Sequence, residues 1–361
     1  MKKNALILLF AFYTFSSSAQ IPTYQLKQVT ADLEIPWGFD FLPSGDLIIT
    51  ERQGTMKHLD LSTKKLTPIK GVPQVKQEGQ GGLLDVALHP TKFKTNQKIF
   101  LTYTDSYSGG VGTVLASATL KGNTLKEIKT LFKSQPPERG GRHFGSRIAF
   151  GSGGTLFFGV GDRGDRDNPQ DLSKPQGKIF RIFEDGQIPK DNPFIHKKNS
   201  VSAIWSYGHR NPQGLARHPL TGELWEQEHG PRGGDEINLI QKGKNYGWPV
   251  ITYGKEYYGP SIGPSHKEGM EQPVKQFTPS IAPSSLMIYS GKLFGEWKGH
   301  FFSAALKLRH LNRLEFKNGK PVREHRMFEG MRRRVRHVRE APNGEIFFST
   351  DRGEIYRISK P

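Results

Sequence analysis

The chain has 361 residues, with 41 glycines, 24 prolines, no cysteine and a formal net charge of +18. That length supports a sizeable core without covalent staples, and the absent thiols exclude disulfides, thiolate catalysis and cysteine-held iron–sulfur clusters. The positive balance suits an anionic ligand, partner or surface, but no zinc-finger or RNA-binding signature accompanies it, so nucleic acid is not the expected partner.

The opening MKKNALILLFAFYTFSSSAQ has the layout of a secretory signal. Lys2 and Lys3 form a basic head, Ala5 to Phe15 an apolar run, and Ser17 and Ala19 supply small residues ahead of a cut before Gln20. The competing reading, an uncleaved anchor, is disfavoured because the run is too short to span a bilayer stably. No later segment is long and apolar enough to do so. The expected mature chain is residues 20–361, one domain, periplasmic or secreted, with its charge reduced to +16 by loss of the two lysines.

Beyond the signal, one pattern recurs. FLPSGDLIITERQG (41–54), IAFGSGGTLFFGVGDRG (148–164), LARHPLTGELWEQEHG (215–230) and REAPNGEIFFSTDRG (339–353) each run from an apolar stretch through a Pro/Gly turn into a strand of β-formers. Two weaker copies lie at 86–105 and 287–306. Helical periodicity is weak throughout. Six units at such spacing predict an all-β, six-bladed β-propeller, with the strand around TYQLKQVT completing the last blade beside GEIYRI. A two-domain β-sandwich is the alternative, and it explains the regular repetition less well. Segments 104–147, 163–212 and 229–285 read as long insertions that gather on one face.

Several short stretches carry chemistry. Gln80 sits among glycines before a strand in GQGGLLDVALHP. GGRHFGSR (140–147) places His143 between Arg142 and Arg147 at the mouth of the next strand, where an imidazole can meet a ligand; alone, it could equally be structural. The tripeptide Arg163-Gly164-Asp165 looks like an adhesion motif but arises easily in a turn, and no function is assigned to it. Arg210 and Asn211 precede Pro212, which holds Asn211 extended; the pair suits a carboxylate or an oxyanion, and a salt bridge is the plain alternative. Residues 226–249 are acidic and glycine-rich, offering hard oxygen ligands without EF-hand spacing. Arg332, Arg334 and Arg336 alternate, so an extended segment would line them up against an anion or leave them as a solvated edge.

Taken in order, IPWGFDFLPSGDLIITER, GQGGLLDVALHP, RHFGSRIAF, YGHRNPQGLA, EHGPRGGDEINLI, GKNYGWP and RVRHV resemble the soluble pyrroloquinoline-quinone-dependent aldose sugar dehydrogenases of the glucose/sorbosone dehydrogenase family. The likeness runs from about residue 25 to residue 358. It implies a six-bladed propeller that oxidises aldoses at C1 to the lactone, using pyrroloquinoline quinone (PQQ) and calcium (Ca2+), with hydride transfer to the quinone and electrons passed to an outside acceptor. By the resemblance, His143 is the catalytic base and Arg210 stabilises charge on the quinone oxygen. Gln80, Arg210, Asn211, Lys307, Arg334 and Arg336 hold the cofactor, with Tyr257 or its neighbour Tyr258 beside it. The carbonyls of Gly230 and Pro231 match ligands of the cofactor-bound calcium, and Glu236 with the carbonyl of Tyr246 a second calcium. Arg142 departs from the pattern: glucose-specific relatives carry an acid there, and an arginine accepts no hydrogen bond from a sugar hydroxyl, so a broader aldose range is expected. Two other readings compete, a non-catalytic propeller that binds glycan or protein and a calcium-dependent lactonase. The complete set of base and cations argues against the first. The cationic face argues against the second, which needs an acidic metal cage on the axis.

Overall fold

The computed structural model describes residues 22–361; the expected signal peptide and its cut before Gln20 lie outside them. Six four-stranded antiparallel sheets follow one another around an axis. Five blades are built from consecutive strands, the first from Pro36–Phe41, Leu47–Glu51, Thr55–Leu59 and Leu66–Ile69. The sixth is composite: Val335–Glu340, Ile346–Thr350 and Ile355–Ser359 are completed by the N-terminal strand Gln25–Thr30, with Gln25 opposite Ser359. This is the closure expected for TYQLKQVT. It joins the two ends of the described chain and leaves no open blade.

Each of the six repeat units is the hairpin joining a blade's inner strand to its second strand. In the first, Pro36–Phe41 pairs with Leu47–Glu51 through the turn at 42–46. The second strands are buried on both faces, and their period of two sends alternate side chains to opposite neighbours. Ile48 packs towards the second blade with Val86, Leu101 and Val114. Leu47 and Ile49 pack towards the sixth with Phe347 and Ile355. The core is therefore a ring of apolar layers between blades, each fully buried Leu, Ile or Phe stabilising by about 1.5–3 kcal/mol.

Of the three supposed insertions only 104–147 is mostly sheet; the other two each hold two outer strands separated by long loops. Segment 104–147 opens with the long hairpin of the second blade, Lys98–Tyr107, Gly110–Lys121 and Thr124–Lys133. Segment 163–212 contains Lys178–Phe183 and Ile204–Tyr207, and segment 229–285 contains Asp235–Ile240 and Lys275–Phe277. Outer strands such as TLKEIKTLFK are half solvated and rich in lysine, so they lack the apolar signature of the inner hairpins. What remains as loop, chiefly 134–147, 161–177, 184–203 and 241–274, connects the strands.

Arg147 ties the inner strands together on the axis. It sits just before Ile148–Phe150 of the third blade and is buried. Its guanidinium donates to one residue in each of the other five inner strands: Asp85 Oδ1 at 2.9 Å, Ser284 O at 2.8 Å, and Trp37 O, Gln213 O and Arg336 O at 3.2 Å each. Arg147 thus belongs to the hub, not to the loop that carries His143. No helix among the described residues is long and apolar enough to cross a membrane.

Candidate active site

Above Arg147, a cavity of about 200 Å³ opens where the inner strands begin and the second strands end. Gln80, Asn211, Arg334 and Arg336 line it, with Trp37, Arg52, His229, Leu306 and Asp351. Four blades place a residue just past their second strand here, Arg52, His229, Leu306 (followed by exposed Lys307) and Asp351, and the third blade places Asp162 one residue further on, after Gly161. Arg52, Asp162 and Asp351 escaped the sequence reading. Their shared place in the repeat, directly after LIITE, TLFFGVG and IFFST, is the signal that could have found them.

His143 enters from the third blade's approach loop. Its backbone N–H donates to Gln80 Oε1 at 2.8 Å, while Gln80 N–H donates to Gly141 O at 2.7 Å. Phe144 and Gly145, which follow, line the cavity, and Gly145 N–H reaches Asn211 Oδ1 at 3.3 Å. The loop lies so close to the second strand's end that a Cβ on Gly161 would stand 2.3 Å from His143 O; only glycine fits there.

The imidazole is oriented by Asp162. His143 Nδ1 lies 2.6 Å from Asp162 Oδ1, which also accepts from Gly164 N–H, while Oδ2 accepts from Trp248 Nε1 at 2.8 Å. A carboxylate only accepts, so Nδ1 carries the proton and Nε2 keeps the free lone pair. Only 12% of the His143 side-chain surface is exposed. Burial pushes its pKa below the ordinary histidine value, and Arg210 and Arg142 push the same way; the Asp162 hydrogen bond and charge act against them. The result is a neutral imidazole, held in one tautomer, that can accept a proton.

Arg334 and Arg336 meet on one carboxylate. Arg336 Nε and Nη2 bind Asp351 at 2.7 and 3.0 Å, and Arg334 Nε binds it at 2.8 Å. Arg332 does not join the row: it ends a short 3-10 turn with a left-handed backbone before the strand starts at Val335. Arg52 adds a cation beside Arg336, whose charge, together with burial, lowers the Arg52 pKa. Arg210 donates to His229 O and Gly230 O, and Glu228 Oε2 accepts from the backbone N–H of both Arg210 and Asn211. Tyr257 and Tyr258 are on an exposed loop and do not line the cavity, Tyr257 being the more covered at 58% exposed.

The residues present fit an anionic cofactor and cations. Arg52 Nε and Arg210 Nε are buried without a partner, orphaned donors beside a cavity already rich in arginine and amide. At 230–234 the chain curls so that a Cβ on Gly230 would meet Gly234 O at 2.2 Å, and it presents carbonyls that a hard cation accepts. Glu236 belongs to a larger acidic group than the sequence suggested. Asn238 Nδ2 bridges Glu226 Oε2 at 3.1 Å and Glu236 Oε2 at 3.4 Å, and His209, Glu226 and Glu228 could share one ion. Burial and the Glu228 charge raise the pKa of both Glu226 and Glu236, while Glu226 Oε1 and Asn238 Oδ1 have no partner. A buried oxygen set of this kind is relieved by a divalent cation. Tyr246 packs alongside, its ring stacked on His209 at 4.7 Å.

Comparison with known proteins shows the family and supports the fold. The profile of the glucose / sorbosone dehydrogenase family matches residues 33–357. The aldose sugar dehydrogenase of Escherichia coli is 39% identical over 93% of both chains. The quinoprotein glucose dehydrogenase B of Acinetobacter calcoaceticus is 28% identical over 85% of this chain and 71% of its own. Among solved structures, the apo form of the E. coli aldose sugar dehydrogenase superposes with a TM-score of 0.90 at 38% identity, covering 94% of this chain and 100% of that one. The PQQ-bound aldose sugar dehydrogenase of Streptomyces coelicolor gives 0.77 at 29% identity, over 94% and 99%. The chain therefore belongs to the glucose/sorbosone dehydrogenase family of oxidoreductases.

Proposed function

We propose that the mature chain, residues 20–361, is an exported quinoprotein that oxidises aldose sugars at C1 to the lactone and delivers the electrons to an external acceptor. The observation that carries this reading is the His143–Asp162 pair at 2.6 Å beside a cavity lined by arginines and amides. Bound PQQ would supply the two-electron acceptor, and calcium held by the carbonyls of Gly230 and Pro231 would supply a Lewis acid.

The chain's own residues do the rest. Arg334, Arg336 and Lys307 would hold the cofactor's carboxylates by charge-assisted hydrogen bonds, Gln80 and Asn211 would hold it as well, and Tyr257 or Tyr258 would lie near it. His143 Nε2 takes the proton of the sugar's C1 hydroxyl, and Asp162 stabilises the imidazolium that forms. Arg210 offers fixed positive charge where negative charge develops. Glu236 and the carbonyl of Tyr246 hold a second, structural calcium, with Glu226 and Glu228 completing its surroundings.

His143→Gln tests the assignment. Turnover should fall on the order of 10²–10⁴-fold, while PQQ affinity, read by direct titration, stays within a few-fold. Turnover at the wild-type level in this variant would remove His143 from the mechanism.

A further inference from the structure

The 163–165 tripeptide is the one singled-out motif that the proposed chemistry does not absorb. It is not displayed for adhesion: Arg163 is 4% exposed. Its guanidinium carbon stands 3.5 Å from the centre of the Phe144 ring. Nη1 donates to Arg142 O, and Nη2 to Gly140 O and to Val111 O, the last at 3.4 Å. One side chain thus grips the backbone on the N-terminal side of His143 and the ring on its C-terminal side. Among the described residues Arg163 makes no ion pair: its two Nη groups are committed to carbonyls of this loop and of Val111, while its buried Nε has no partner.

The loop needs such a grip. His143 has φ 56° and Arg163 φ 60°, left-handed conformations that a residue with a side chain keeps only when its surroundings impose them. Asp162, the adjacent residue, fixes the His143 ring, so a single turn, 162–163, holds the imidazole from the side and its backbone from beneath. Although burial lowers the Arg163 pKa to about 10, the group remains charged at neutral pH, and its fork can serve several carbonyls at once.

We propose that Arg163 is a positioning residue for His143, holding residues 140–144 so that Nδ1 meets Asp162 and Nε2 is presented to substrate. This rests on His143 being the base.

The test uses the full mature protein loaded with PQQ and calcium, comparing Arg163→Lys and Arg163→Ala with wild type. Lysine keeps the charge but has one nitrogen in place of the fork and cannot stack as a plane. In both variants kcat should fall on the order of 10–100-fold, with KM and PQQ affinity within a few-fold. Of the groups facing His143, only Asp162 raises its pKa; Arg210, Arg142 and the neighbouring His229 do not. A loosened Asp162 contact therefore moves the acid limb of kcat/KM to lower pH, and added methylguanidinium should restore turnover to Arg163→Ala. Should the alanine variant fail to fold, the lysine variant carries the test.

Wild-type kcat and an unmoved acid limb in Arg163→Lys would overturn the proposal. So would a fall in kcat matched by equal losses of PQQ affinity and melting temperature, which marks a scaffold strut. His143→Gln separates the two claims: turnover surviving there sinks the base, whereas turnover lost there but intact in Arg163→Lys sinks only the positioning role. In the double variant Arg163→Lys should add no further loss; an additive loss contradicts action through His143.

Discussion

A base must be neutral to work, and His143 is kept neutral by its surroundings more than by its own chemistry. Burial is the largest influence on its pKa and Arg210 the next downward one, with Arg142 adding to it from solvent. Because the folded pKa lies below the ordinary value, His143 stays competent as pH falls through the range where a free histidine would be protonated. Arg142→Gln removes one depressing charge, so the acid limb of kcat/KM should move to higher pH. A pH–rate profile between about pH 5 and 8 checks this; a limb that stays put or moves down contradicts the electrostatic account. At this scale the sequence was half legible. His143 stood out because a histidine on a glycine-rich loop at a strand mouth is placed to meet a ligand, although alone it could equally be structural. Asp162 did not, because GDRGDRD offers several aspartates and only folding selects the one that meets Nδ1.

Among elements, the inner-to-second-strand hairpins were the readable part, since two apolar runs around a Pro/Gly turn have no other common meaning. The outer strands were not, being half exposed and lysine-rich, and the long second-blade hairpin passed for an insertion. Nor did the sequence reveal that Arg147 closes the hub, because that role consists of bonds to five residues far apart in the chain. Arg147→Met removes those bonds and leaves Asp85 buried without its ion partner, although Asp85 Oδ2 keeps the Ile148 N–H. Losing one member of such a pair costs about 3–5 kcal/mol, a loss that urea unfolding would register. Adding Asp85→Asn should recover part of it, and a single variant as stable as wild type would show that the hub is dispensable.

The whole molecule combines a closed ring of blades with a concentration of positive charge at one mouth of its axis. The ring was legible from the repeat, and the family from the ordered motifs, because both are written along the chain. The acidic group around Glu236 was not, since Glu226 and Glu228 meet Glu236 and Asn238 only through the pairing of two strands. The charge excess finds a use in the cavity, where Arg52, Arg334 and Arg336 share the single carboxylate of Asp351. A ligand with several carboxylates would satisfy what Asp351 cannot. The most direct measurement is dye-linked oxidation of glucose, galactose, xylose and maltose by the purified mature protein, with PQQ and calcium added singly, together and not at all. The account predicts turnover only when both are present, a cofactor-dependent rise in melting temperature, and activity on several aldoses rather than glucose alone. No turnover with both added, and no change in melting temperature, would contradict it.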